Sequence, residues 1–295
     1  MDSPLVSLDL NTWHPGQGDP AWTGAVESGR VLFFPRLAFE VLPAERSLLR
    51  ESMLAAGSRN VSLDAAGVLK GAAEGAADQA VLKAMIGRFR AQALQLVEGL
   101  FPTYRGALRV APTSFRPRRV ETRAQSVRAD DKRLHVDAFP TRPNHGERIL
   151  RVFANVNPDG VPRVWRVGSD FESVARQFLP RAKPYRLWQA RALQALHVTK
   201  SLRSEYDHDM LQLHDGMKRD DDYQRNGAQT EVSFPTGSVW VCFSDQTVHA
   251  AMSGQFMMEQ TLHLPAGREA SRAASPLAIL TRLAGRPLVG ISYPT

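Results

Sequence analysis

Gly237-Ser238-Val239-Trp240-Val241-Cys242-Phe243-Ser244-Asp245-Gln246-Thr247-Val248-His249-Ala250-Ala251 is the stretch on which the reading of the fold turns. A glycine-led apolar run stops at a short polar turn, and a histidine follows. The run is too short for a helix and rich in β-branched and aromatic residues, so it reads as a strand buried on both faces. Upstream, Arg133-Leu134-His135-Val136-Asp137-Ala138-Phe139 reads as a second strand. Residues two apart on a strand share a face. His135 and Asp137 therefore project side by side, while Leu134 and Val136 face the other way. A lone His-x-Asp arises often by chance and carries little weight by itself. In a double-stranded β-helix, however, the strand bearing His135 and Asp137 and the strand bearing His249 are neighbours at the barrel mouth. Two imidazoles and one carboxylate on one side of an ion leave three positions open, the arrangement of the non-haem Fe(II) oxygenases.

Further strands are expected at Arg119–Gln125, Ile149–Val156, Val161–Val167, Thr230–Phe234 and near Phe256–Leu264, beside those at Leu134–Phe139 and Ser238–Phe243. Turn signals separate them at Asn144-His145-Gly146, Asn157-Pro158-Asp159-Gly160, Pro235-Thr236-Gly237 and Ser253-Gly254. Helical texture precedes them. Val31–Phe34 is a short buried strand ended by Pro35, Pro43–Ala56 reads as a helix, and Gln79–Leu100 spaces Val81, Met85, Ile86, Phe89, Ala93, Leu94 and Val97 as one face of a long amphipathic helix. Phe171–Leu179, Tyr185–Val198 and Leu202–Lys218 read as helices of an insertion. The fold class expected is α+β: a double-stranded β-helix (jelly-roll, cupin-like) over about 114–265. Supporting helices lie at about 40–100, a helical insertion at about 169–228 and a tail at 266–295, within one domain spanning 1–295. Trp165, Trp188 and Trp240 are expected to pack in the core.

Composition narrows the chemistry. Of 295 residues, 43% are hydrophobic and 23% charged, ordinary for a soluble folded chain able to bury one substantial core. No apolar run approaches the roughly 20 residues that span a bilayer. Met1–Asp19 lacks the basic-then-apolar pattern of a secretion signal. Cys242, the only cysteine, allows neither an internal disulfide nor a thiolate cluster, so a reducing cytoplasm is expected and any metal must sit on histidines and carboxylates. Lys and Arg number 37 against 30 Asp and Glu, a formal charge of +7 that suggests an anionic partner: nucleic acid, anionic lipid or a small acidic substrate. Basic residues cluster at Arg105, Arg109, Arg116, Arg118, Arg119, Arg123, Arg128, Lys132 and Arg133.

Arg148-Ile149-Leu150-Arg151-Val152-Phe153-Ala154-Asn155-Val156 is apolar on both faces, and an arginine buried there must meet an anion or cost several kcal/mol. Arg151 is thus a candidate to grip a dicarboxylate cosubstrate, its guanidinium matching a carboxylate with two hydrogen bonds. A structural ion pair with a buried acid is the alternative. Arg116 is the second candidate for an anion, of substrate or cosubstrate. His214-Asp215 could form a second metal site, though a polar helix end is the simpler reading, and His263 reads as a core histidine.

Taken together, these residues resemble the hydroxylases of 3-deoxy-D-manno-oct-2-ulosonic acid (Kdo). The resemblance rests on His135-x-Asp137 with the distal His249, on the spacing to Arg151, and on the basic segment Ser114-Phe115-Arg116-Pro117-Arg118-Arg119. Leu211-Gln212-Leu213-His214-Asp215-Gly216-Met217-Lys218 adds to it, and it covers about residues 30 to 265. It implies Fe(II), 2-oxoglutarate and O2 as cofactors, and hydroxylation of Kdo C3 in the lipopolysaccharide inner core to give D-glycero-D-talo-oct-2-ulosonic acid. The implied partner is a Kdo-containing lipid A or lipopolysaccharide precursor; the basic excess, the single cysteine and the lack of a signal or span lead to the expectation of a peripheral contact with the anionic surface at the cytoplasmic face of the inner membrane, and no nucleic acid is expected. A common superfamily pattern places an arginine shortly after the distal histidine to hold the cosubstrate. Here Met258, Glu259, Gln260 and Thr261 occupy that stretch, which puts the anchor elsewhere and strengthens Arg151. Two other readings fit the same barrel. One is a nucleic-acid demethylase, disfavoured by the lack of an aromatic stacking array. The other is a cupin-like protein that binds acidic sugars with Zn(II) or no metal.

Overall fold

The computed structural model describes residues 3–122 and 125–290. The chain opens with β1 (Leu5–Ser7), α1 (Pro20–Glu27) and β2 (Val31–Phe34), followed by β3 (Val61–Leu63), β4 (Leu69–Lys70), α2 (Ala76–Leu100) and β5 (Arg109–Arg116). Next come β6 (Arg148–Asn155), β7 (Arg163–Gly168), α3 (Phe171–Phe178), α4 (Leu187–Ala195), α5 (Glu205–Arg219) and α6 (Asp221–Asn226). β8 (Gln229–Phe234), β9 (Val239–Phe243), β10 (His249–Ser253), β11 (Met257–Leu264) and α7 (Pro276–Ala284) complete it. Two sheets face each other: an eight-stranded one, ordered β1-β2-β9-β6-β11-β5-β3-β4, and a three-stranded one, ordered β10-β7-β8. All pairs are antiparallel except β1 with β2.

Strand alternation divides the core. From β6, Leu150, Val152 and Ala154 join Met85, Ile86 and Phe89 of α2 in an outer layer. Phe153 points to the opposite face, where Trp165, Phe234 and Trp240 fill the space between the sheets. Phe234 and Trp240 stack at 4.1 Å and Phe153 and Trp240 at 5.3 Å, a rigid aromatic floor. A third cluster sets Leu134 and Val136 against α3, α5 and α7, through Phe171, Met210, Leu213 and Ile279 among others. The C-terminal helix thus packs back on the body.

Four expectations need correction. Pro43–Ala56 is not one helix but two short 3-10 turns, Pro43–Leu48 and Glu51–Met53. Leu134–Phe139 is no continuous strand: only His135 makes a bridge, to His249. Between Arg119 and Thr122 there is no strand, and Arg123 and Ala124 lie outside the described residues; the strand runs earlier, at Arg109–Arg116. Trp188 is not in the core but 64% exposed. The basic cluster is partly neutralised. Arg116, Arg128 and Arg133 each pair with a carboxylate, of Glu259, Asp215 and Asp221.

Asp209 on α5 is buried beside Glu205, and burial pushes its carboxyl up to about 7. An acid whose folded pKa is raised loses stability as pH rises through that value. Asp209→Asn is therefore expected to raise stability at about pH 8 by roughly 1–2 kcal/mol, a gain that vanishes below about pH 4. Urea unfolding at the two pH values checks it; an equal effect at both would place the cause elsewhere.

Candidate metal centre

His135 and His249 are held by a reciprocal backbone pair: the His135 N–H donates to the His249 carbonyl at 3.0 Å, and the His249 N–H to the His135 carbonyl at 2.9 Å. The Asp137 N–H donates to the Ser244 carbonyl at 2.8 Å. The extended segment 134–138 is thereby fastened to β10 and to the turn before it without forming a full strand. Each imidazole is also oriented. His135 Nδ1 lies 2.7 Å from the Arg133 carbonyl and His249 Nδ1 lies 2.8 Å from the Thr247 carbonyl. A carbonyl only accepts, so each Nδ1 carries the proton and each Nε2 offers its lone pair. One ligand atom from each of His135, Asp137 and His249 lies within 4.8 Å of the others, as three donors around one ion require.

Burial holds both imidazoles below the usual histidine range, so they are neutral donors; for His135 the neighbouring His249 and Lys218 add to this. Burial alone would raise the Asp137 carboxyl, but the Arg151 guanidinium opposes this and the carboxyl is held below the usual range. Two neutral nitrogens and one anionic oxygen suit a divalent first-row ion of borderline softness. Trp165 stacks on the His249 ring at 4.9 Å and 23°, which fixes the plane of that ring from the aromatic floor.

Around these three stand Arg116, Arg151 and Arg163, with Asp131 and Glu259, on a wall completed by Phe153, Trp165 and Met257. Arg151 reaches Asp137 Oδ2 and Glu259 Oε1, both at 2.9 Å, while its buried Nε–H has no hydrogen-bond partner. Arg116 meets the other oxygen of Glu259 at 2.7 Å. The two predicted anion-binding arginines are thus one cluster, bridged by Glu259, whose carboxyl they hold down against the effect of burial. The structural ion pair considered for Arg151 exists, and it lies against the histidines and not apart from them.

Glu259 was legible only as the absence of an arginine. Its place follows from register: on β11 it stands opposite Phe153 and Ser114, hence diagonal to both Arg151 and Arg116. His214 also proves close to the centre. Its ring meets that of His135 edge-on at 5.4 Å, while its Nδ1 pairs with Asp215 at 2.9 Å. Asp215 is in turn held by Arg128 and Arg219. Among the described residues, no second group of histidines and carboxylates is placed to hold an ion. Lys218, one turn further along α5, is buried and donates to the Arg128 carbonyl at 3.1 Å.

A β-helix with two histidines and one carboxylate at its mouth defines a non-haem iron oxygenase. The comparisons narrow this. The family profile for 3-deoxy-D-manno-oct-2-ulosonic acid (Kdo) hydroxylase matches residues 12–287. The crystal structure of the Kdo hydroxylase KdoO, a non-haem Fe(II) alphaketoglutarate-dependent dioxygenase, in complex with alphaketoglutarate and Fe(III), superposes with a TM-score of 0.94. It is 39% identical, over 99% of this chain and 100% of that one. The cobalt(II) complex of the same hydroxylase gives a TM-score of 0.95 at the same identity and coverage. Nothing among curated protein sequences matches the chain. The chain belongs to the Kdo hydroxylase family.

Proposed function

We propose that the chain hydroxylates C3 of Kdo in a Kdo–lipid A or lipopolysaccharide precursor, acting as one dioxygenase domain over residues 1–295 at the cytoplasmic face of the inner membrane. His135, Asp137 and His249 hold Fe(II), and Arg151, with Arg116 beside it, receives the cosubstrate carboxylate. When bound, iron and 2-oxoglutarate supply the oxidising power drawn from O2. The observation that carries the reading is the closure of the three donor atoms to within 4.8 Å in a chain of this family.

The protein's own residues do the rest. The carbonyls of Arg133 and Thr247 keep both imidazoles in one tautomer, which orients them before any ion arrives. Charge matching supports a dianionic cosubstrate: Arg116, Arg151 and Arg163 balance Asp131, Asp137 and Glu259 around the pocket, so a divalent ion leaves two positive charges to be met. Arg151 and Arg116 both line the pocket, where a carboxylate can meet their charge. Phe153, Trp165 and Met257 limit water there. Mass spectrometry of Kdo–lipid A after incubation with the protein, Fe(II) and 2-oxoglutarate tests the reading: the product gains one oxygen, and an unchanged mass refutes it.

Arg151→Ala is expected to raise the KM for 2-oxoglutarate by roughly 10–100-fold, and Arg151→Lys to recover little of it, because a point charge does not reproduce the planar fork. Succinate formation against 2-oxoglutarate concentration measures this. If the alanine variant titrates like wild type, the anchor lies elsewhere and Arg116 becomes the first candidate.

A further inference from the structure

α4 is a helix with almost nothing packed against it: of Leu187–Ala195, only Ala190 is buried. Apolar side chains nevertheless crowd its outer side and the turn that follows. Leu187 is 42% exposed, Trp188 64%, Leu196 73% and Val198 47%, half of the eight large hydrophobic side chains so exposed among the described residues. The segment around them is strongly basic. From Ser173 to Ser204 there are seven cations (Arg176, Arg181, Lys183, Arg186, Arg191, Lys200 and Arg203) and no Asp or Glu. Arg176 and Arg181 are spoken for by Glu172 and Asp220, whereas Lys183, Arg186, Arg191 and Lys200 are all exposed around the apolar patch.

We infer that α4 and the turn after it dock on an anionic lipid bilayer. A tryptophan and leucines ringed by Lys and Arg suit the boundary between headgroups and acyl chains, where apolar bodies enter and charged tips stay with lipid phosphates. A second copy of the chain is the wrong occupant, since it would set one basic segment against another. The position also serves the centre. The inward side of α4 closes a cavity of about 230 Å³ whose far wall includes Arg128 and Asp215. Asp215 holds His214, whose ring lies against that of His135. The surface that meets the membrane therefore adjoins the helix that flanks the metal ligands. The inference deepens the reading of a lipid-borne substrate and takes its purpose from it, but its evidence is independent of iron and of Kdo.

The test uses the full-length protein without added metal and vesicles without Kdo. Sedimentation with mixed phosphatidylcholine–phosphatidylglycerol vesicles is expected to show binding that weakens with salt, and pure phosphatidylcholine vesicles to bind little. Trp188→Ala with Leu196→Ala is expected to lower partitioning by about tenfold or more. Arg186→Glu with Arg191→Glu should lower it by roughly a hundredfold at low salt. Arg46→Glu with Lys83→Glu makes the same change in net charge away from α4 and should cost far less. Equal loss in both charge-reversed pairs would overturn the assignment to α4. So would binding indifferent to phosphatidylglycerol, or a dimer in solution that Trp188→Ala abolishes. Vesicle binding without Kdo hydroxylation would refute the enzymatic reading and leave the docking surface standing.

Discussion

Alanine in place of His135, Asp137 or His249 is expected to abolish hydroxylation while leaving a folded protein. Each supplies one of three donor atoms that lie within 4.8 Å of one another, and two donors do not define the face of an octahedral ion. The loss should exceed the roughly 10–100-fold that follows removal of an outer partner such as a carbonyl that orients a ligand. The fold should survive because the bonds that fasten the segment are backbone bonds: His135 and His249 exchange their N–H and carbonyl groups, and Asp137 uses its N–H on Ser244. Asp137→Ala removes one of two acids from Arg151, but Glu259 remains at 2.9 Å. Fe(II) binding, succinate release and thermal melting of the metal-free variants check the three parts. Full activity in any one variant would remove that residue from the centre.

How much of this was legible follows from the kind of pattern each element carries. β6, β9 and β11 are strands that the sequence places to within two residues: β9 is apolar throughout, β6 is apolar between its ends but for Arg151, and Met258, Leu262 and Leu264 mark one face of β11. The pair His135 and Asp137 was legible for a different reason. Leu134 and Val136 alternate with them into a core of helices, and any extended segment anchored on one side produces that alternation, strand or not. The stretch Arg119–Thr122, which forms no strand, and the true strand at Arg109–Arg116 differ in pairing with β11, which local composition does not encode. Trp188 shows the same limit, since its exposure results from its place on α4, of which only Ala190 is buried. Glu259 carries no motif at all; it becomes a site residue because register sets it diagonal to Arg116 and Arg151.

The last element of the site is a buried salt bridge that never touches the pocket. Arg148 is fully buried, its Nε 2.7 Å from Asp245 Oδ2 and its guanidinium stacked 4.0 Å over the Phe243 ring. Nη2 donates to Gln246, and Asp245 Oδ1 accepts from the Ile149 N–H at 3.1 Å. This clamp fixes the turn from Ser244 to Thr247, and that turn supplies the carbonyl that holds Asp137 and the one that orients His249. Burial pushes the Asp245 carboxyl up, and Arg148 opposes that. Arg148→Met is therefore expected to cost about 3–5 kcal/mol, because it leaves Asp245 buried without its cation. Adding Asp245→Asn should restore a large part of that loss, since an ion pair removed whole is far less costly than one broken. Iron affinity should fall in both variants, the turn having lost its brace, with a smaller loss in the double variant. Chemical denaturation of the single and double variants decides it: strictly additive losses would mean that the pair acts as two independent residues and that the turn is held by its backbone bonds alone.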